Sequence, residues 1–219
     1  MHCHFNIQVM KKLTAPGKIS IVLIMACIAM LWFKPMWRID LRAPQYPEGI
    51  SMQIWIDDVK GDVAIINGLN HYIGMKTIHK KDFVEFLILP KAFLIFISLG
   101  VVVLFCNRKL IFYLWSGLFL LISLFAFSDF YMWEYNYGHN LDPHAPIQVP
   151  GMVYQPPLLG YKKMLNFEAL SQPDVGGWFF IGAGVLLLTA SVYEWKKNKN
   201  DIRLHASATA SVGVLHESV

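Results

Sequence analysis

The chain has 219 residues, of which 55% are hydrophobic and only 16% charged, with a formal net charge of +4. A soluble domain usually has about 25% charged residues, so this composition argues against an ordinary soluble protein. The length is that of one domain, and the apolar residues form four blocks, a pattern typical of a protein that crosses the membrane several times.

The four apolar blocks predict four transmembrane helices, because each approaches the roughly 20 residues that span the hydrocarbon core. These blocks are residues 19–37, 86–106, 110–128 and 178–195. The first block has a basic start, like a signal peptide, but no small-residue cleavage site follows it, so it is predicted to be an uncleaved span. A four-span domain of residues 19–197 then lies between an N-terminal tail, 1–18, and a C-terminal tail, 198–219, that is predicted to be disordered.

The distribution of basic residues predicts the orientation of the spans. The turn Asn107-Arg108-Lys109 between the second and third blocks is short and basic, which is typical of a cytoplasmic loop. Both termini are therefore predicted to be cytoplasmic, and the long connectors 38–85 and 129–177 extracytoplasmic. In a bacterium the chain would be a multi-pass protein of the inner (cytoplasmic) membrane, with lipid as its first partner.

Both long connectors contain patterns of ordered structure. In the first, ISMQIWI alternates apolar and polar residues, which is compatible with a short strand, and AIINGLNHYIGMKTI has apolar residues at helical spacing. The second combines prolines with many Tyr, Met, Leu and Val residues, which disordered linkers lack. We therefore expect an all-α membrane protein, with four transmembrane helices and two ordered extracytoplasmic loops that form a cap.

Several classes of chemistry are excluded by the sequence. No histidine lies in the four blocks, and CxxCH is absent, so no haem is expected, either between the spans or covalently attached. The chain contains no P-loop, HExxH or GxSxG motif, and no basic aromatic stripe that would suggest nucleic acid as a partner.

A set of imidazoles and thioethers in the connectors is the candidate metal site. His71, Met75 and His79 are spaced to form one row on a helix, and His139 lies in the second connector. These ligand types suit copper. The alternative is that the histidines are structural and the methionines fill space; spacing alone favours this alternative, since Gly68 and Gly74 weaken the helix that the row requires.

The stretch NYGHNLDPHAPIQVPGM, residues 136–152, contains two histidines and three prolines and begins shortly after the third block. We interpret it as a proline-stiffened surface for a partner protein. Its candidate contact residues, with one residue just beyond the stretch, are Tyr137, Asn140, Pro146, Pro150 and Tyr154.

Three long motifs resemble those of a known family: APQYPEG, GDVAIINGLNHYIGMK and YNYGHNLDPHAPIQVPGMVYQPPLLGYKKMLNF. Together with the span pattern, over roughly residues 18–197, they resemble a small four-span membrane protein encoded in nitrous-oxide reductase gene clusters of Bacteroidetes-type bacteria. The resemblance implies a periplasmic copper enzyme as a neighbour, and an accessory role in its maturation, copper supply or electron delivery. It strengthens the copper interpretation, with His71, His79 and His139 as preferred ligands, by analogy alone.

Three hypotheses follow for the function. The first is an accessory protein whose cap binds a periplasmic or membrane partner, possible partners being nitrous-oxide reductase and its maturation factors, with copper as a candidate cofactor. The second is a purely structural membrane subunit without metal. The third is a membrane enzyme with its site under the cap, which a pocket lined by Asp129, Glu134 and His139 would favour.

Overall fold

The computed structural model describes residues 12–164 and 166–216, with side chains up to residue 200. The expectations for residues 1–11, which form most of the N-terminal tail, and for residues 217–219 lie outside the described residues. In chain order the structure has α1 (Ala15–Ala29), β1 (Trp37–Ala43), β2 (Tyr46–Ile54), β3 (Val59–Gly61), α2 (Val63–Ile73), α3 (Glu85–Cys106), α4 (Lys109–His139), β4 (Gly160–Met164), β5 (Phe167–Pro173) and α5 (Val175–His216).

Among the described residues, four helical segments are long and apolar enough to cross a membrane. They are Ala15–Trp32, Glu85–Cys106, Lys109–His139 and Val175–Asn200. Each contains all or most of one of the four blocks. An apolar run of this length is expected to be helical in lipid, because a helix satisfies the backbone hydrogen-bonding groups within the segment. α5 continues as helix through residues 198–216, where the sequence suggested an irregular tail.

The predicted all-α fold class is wrong. The two connectors form a five-stranded antiparallel sheet in the order β3-β2-β1-β5-β4, so the protein is a mixed α/β protein. β1 pairs with β2 from its own connector and with β5 from the other, where Ile39 lies opposite both Met52 and Ser171. The connectors therefore lie at the same end of the helices and fold as one unit, which we call the sheet cap.

Alternation of apolar and polar residues explains why these segments form strands. In WRIDLRA, Trp37, Ile39 and Leu41 alternate with Arg38, Asp40 and Arg42, which is the two-residue period of a sheet with one buried face. Ile39, Ile50 and Met52 are buried, and they pack with Ile66 of α2 in a cluster of their own. The sheet cap thus has a hydrophobic core separate from that of the helices.

The helices pack through a second, larger core. Ile21, Ile24 and Ile28 of α1 are fully buried at intervals of three and four residues, which places them on one face of the helix. Phe96 of α3 stacks on Trp115 of α4 with ring centroids 4.5 Å apart, and the indole donates a hydrogen bond to the Phe96 carbonyl over 2.9 Å.

A buried ion pair joins three helices at the end opposite the sheet cap. Lys109 Nζ lies 2.9 Å from a carboxylate oxygen of Glu194, and both side chains are almost fully buried. The other carboxylate oxygen accepts hydrogen bonds from the Thr14 backbone N–H, over 3.0 Å, and from the Thr14 hydroxyl. Gly17 permits this arrangement, because a Cβ at that position would overlap the Glu194 carboxylate.

Candidate binding cavity under the cap

The sheet cap encloses a cavity between its inner face, α2 and the last two turns of α4. Its volume is about 70 Å³. Most of the wall is apolar, and it includes Ile39, Leu41, Met52, Ile66, Ile73, Met75, Trp133, Tyr137, Met164 and Phe167. The register of the sheet explains these wall residues, since Ile39, Met52 and Phe167 share one face by the pairing of β1, β2 and β5.

The C-terminal end of α4 packs against the sheet cap. Helix α4 has 31 residues, which corresponds to about 46 Å, whereas the hydrocarbon core requires about 20 residues. Phe130 contacts Trp37, the first residue of β1, with ring centroids 5.5 Å apart. One face of α4 from Phe130 to Gly138 is thus covered by the cap, and the helix extends eleven residues beyond the span predicted to end at residue 128.

Glu134 is the most unusual residue of this cavity. It lies near the C-terminal end of α4, lines the cavity, and is 0% exposed. None of the described residues forms a hydrogen bond with either carboxyl oxygen. Burial away from water disfavours the charged form and raises the pKa of Glu134 from its ordinary value of 4.5 to about 8, although attraction to Lys162 opposes the shift.

Two further polar atoms of the cavity wall are buried without a partner among the described residues. They are the indole N–H of Trp133 and the hydroxyl of Tyr154. A buried polar group without a hydrogen bond costs about 1–3 kcal/mol, and such groups are uncommon in folded proteins. Three such groups lie around one small cavity, which makes it the candidate binding site.

The segment 140–159, which we call the proline loop, closes one side of this cavity. It is attached to the C-terminal end of α2 by a hydrogen bond from Ile147 N to Tyr72 O, 2.9 Å, and to Gly74, the residue that follows this helix, by one from Asp142 N to Gly74 O, 2.8 Å. Its far end is held on α4 by a bond of 3.1 Å from Tyr154 N to Gly138 O. This last contact positions the Tyr154 side chain against the cavity.

The helical row predicted for the metal site is not formed. α2 ends at Ile73, and Gly74 adopts the left-handed conformation with φ 78° that terminates many helices. The chain then reverses: Asn67 accepts a hydrogen bond from Ile78 N over 2.7 Å and donates one to Ile78 O over 3.0 Å. Only His71 lies on the helix, so Met75 and His79 do not follow it along one helical face.

The four candidate ligands occupy different environments. His71 and His79 are exposed, whereas Met75 is partly buried and lines the cavity. His139 is exposed and stacks on Tyr135 at 3.8 Å, with its Nδ1 2.9 Å from the Tyr135 carbonyl. Among the described residues, no group of three His, Cys, Asp or Glu side chains is placed to hold a metal ion.

The candidate partner-surface residues also differ in exposure. Asn140, Pro146 and Pro150 are exposed. Tyr137 is partly buried and donates a hydrogen bond of 3.2 Å to the Thr77 carbonyl. Tyr154 is buried, with 3% exposure, and lines the cavity, so its side chain is not on the surface of the loop.

Comparison with known proteins adds no identification. The chain matches no protein-family model, and no curated protein is detectably similar to it.

The thermal stability of the protein is expected to fall as pH rises from about 5 to 9. Between an unfolded pKa near 4.5 and a folded pKa of about 8, the folded state holds a proton on Glu134 that the unfolded state has lost. Stability then decreases as pH increases, because ionisation leaves a buried charge. Melting temperatures of the wild type and Glu134→Gln over this range test the expectation: the decrease should be smaller in the variant, and parallel curves would contradict it.

Proposed function

We propose that this protein is a membrane accessory protein that presents its sheet cap to a partner protein in the periplasm. The four apolar helices anchor the chain in the inner membrane with both termini in the cytoplasm. The basic residues Arg108, Lys109, Lys196 and Lys197 at the end opposite the cap support this orientation.

The observation that carries the proposal is the exposed apolar character of the proline loop. Ile147 is 49% exposed and Val149 38%, although neither belongs to a helix that could lie in lipid. Tyr72, 55% exposed, is next to Ile147 through the backbone hydrogen bond between them. Apolar side chains on an ordered extramembrane surface are typical of a protein-binding site, and Asn140, Pro146 and Pro150 lie on the same loop.

The resemblance of the sequence suggests the identity of the partner. It favours nitrous-oxide reductase or one of its maturation factors, with a role in maturation, copper supply or electron delivery. Copper would then be bound by His71, Met75, His79 and His139, donors that suit Cu(I) or Cu(II). A docking subunit without metal is the second candidate, and the reversal of the chain after Gly74 favours it, since it separates Met75 and His79 from the helix that carries His71.

Affinity purification from native membranes, read by mass spectrometry and elemental analysis, tests the proposal. Ile147→Asp should lower recovery of the partner at least tenfold, because it places a charge in the apolar contact. Gln45→Asp, an exposed change in the turn between β1 and β2, is the matched control and should recover the partner normally. Equal recovery with both variants would contradict docking through the proline loop.

Metal content in the same preparations separates the two candidates. Under the copper proposal, the wild type contains copper after loading, and the variant with His71→Ala and His139→Ala loses at least half of it. Under metal-free docking, copper stays at background level in both proteins and the partner is retained.

A further inference from the structure

The cavity under the sheet cap contains a carboxyl group whose partner is not in the described protein. The Glu134 oxygens are fully buried with no hydrogen-bond donor among the described residues. The nearby cation Lys162 does not supply one, because its ammonium group donates to the Gln155 carbonyl over 2.9 Å and the side chain is exposed. A buried carboxylate is stable only when it is paired, so a positively charged ligand would complete this site.

Aromatic side chains form part of the wall beside Glu134. Trp133 and Tyr137 line the cavity, and their rings are held in a cluster, 4.8 Å apart from each other and 5.4 Å from Trp133 to Phe83. Aromatic rings attract cations through their negative faces, and aromatic walls are the common site for methylated ammonium groups. The ionised form of Glu134 would repel anions, and a purely apolar ligand would leave its oxygens without a partner.

We propose that the cavity is a binding site for a small methylated ammonium ion, with Glu134 as the counter-ion and Trp133 and Tyr137 as the aromatic wall. The volume sets the size of the ligand. About 70 Å³ is roughly half the 150 Å³ of a cavity that holds benzene, which leaves room for about three non-hydrogen atoms. Dimethylammonium has this size, and it is a suitable probe because its ammonium group, like that of lysine, stays charged at pH 7 and pH 9.

At any pH at which Glu134 is protonated in the free protein, binding of the cation releases this proton. Because burial raises the pKa of Glu134 to about 8, affinity should increase with pH and level off above that value. For a single site with this pKa, the binding affinity is expected to increase about tenfold between pH 7 and pH 9. Titratable groups near this carboxyl are Tyr137 and Tyr154 in the wall and Lys162 of β4.

The test is calorimetric titration of the purified full chain in detergent with dimethylammonium chloride at pH 7 and pH 9. Saturable binding is expected in the wild type, with the increase in affinity described above and net proton release at pH 7. Glu134→Gln should weaken binding at least tenfold. Glu168→Gln, which removes a carboxyl from β5 that does not line the cavity, is the matched control and should bind normally.

Neutral ethanol, which has the same number of non-hydrogen atoms as dimethylammonium, separates charge recognition from simple filling of space. It should not compete with the probe. Competition by ethanol, equal binding by Glu134→Gln, or the absence of saturable binding to folded wild type at pH 9 would each overturn the proposal. The last result would mean that water alone satisfies these groups. Circular dichroism of each variant establishes that a loss of binding is not a loss of fold.

Discussion

Lys109→Met is expected to lower the free energy of unfolding by about 3–5 kcal/mol, because it leaves Glu194 as an unpaired buried charge. Glu194 is 0% exposed, and Lys109 is the cation that lies against it. Thr14 would still donate to one carboxylate oxygen, but hydrogen bonds alone do not neutralise a charge at this depth. Unfolding in mixed micelles with increasing dodecyl sulfate, followed by tryptophan fluorescence, measures the loss.

Two further variants show whether the loss comes from the charge. The double variant Lys109→Met with Glu194→Met should recover most of the stability, because replacing a whole buried ion pair by apolar side chains is often close to neutral. Lys91→Met removes an exposed lysine from α3 and should change the free energy by less than about 0.5 kcal/mol. Similar losses in Lys109→Met and Lys91→Met would show that the buried pair does not stabilise the helices.

Gly138→Ala is expected to destabilise the protein by about 1–3 kcal/mol, the usual cost of overpacking. A Cβ at Gly138 would overlap the backbone of Gln155, so the proline loop would have to leave α4. The bond from Tyr154 N to Gly138 O would break, and the cavity would open on that side. Thermal unfolding together with limited proteolysis of residues 140–159 measures both effects.

Gly117→Ala in the same helix provides the control for Gly138→Ala. A Cβ at Gly117 would have no neighbour within 4 Å, and alanine is the better helix former by up to about 1 kcal/mol. The control should therefore be neutral or slightly stabilising, with the proline loop as resistant to protease as in the wild type. The two Gly→Ala substitutions are thus expected to have different effects on the free energy of unfolding. Stabilisation by both would contradict the close contact at Gly138.

The helices were predictable from the sequence because hydrophobic length is a strong and local signal. Helices α3, α4 and α5 contain three of the four predicted blocks, and α1 contains most of the first block. The extra length of α4 beyond residue 128 was not predicted, because residues 129–139 contain charged and polar groups that end the apolar run. These residues remain helical because they pack under the sheet cap, with Trp133 and Tyr137 against Phe83, which is a tertiary effect.

The sheet was only partly predictable. ISMQIWI was compatible with a strand and lies mostly in β2. WRIDLRA and FEALSQP show a similar alternation on their buried faces, but they lie beside apolar spans, and their pairing depends on contacts more than 125 residues apart in the chain, such as Trp37 with Pro173. Such pairing is not visible in local patterns, so the fold class was wrong although the spans were found.

The cavity was not predictable, because it depends on the position of a carboxyl in three dimensions. From the sequence, Glu134 was named only as one lining residue of a pocket under the enzyme hypothesis, and the sequence does not show that β1, β2 and the proline loop surround it. The pocket considered under the enzyme hypothesis required Asp129 and His139 as well, and neither lines the cavity. The buried carboxylate of the ion pair is easier to notice in the sequence, since Glu194 is the one acidic residue in the apolar run 178–195.

Labelling of single cysteines in intact cells tests most directly whether the sheet cap lies outside the cytoplasm. In a background with Cys3, Cys27 and Cys106 replaced by serine, Glu48→Cys in the first connector and Pro150→Cys in the proline loop should react with a membrane-impermeant maleimide before lysis. Arg108→Cys, at the opposite end of the helices, should react only after lysis. Protection of Glu48→Cys and Pro150→Cys until lysis, with Arg108→Cys labelled in intact cells, would place the cap in the cytoplasm and exclude a periplasmic partner.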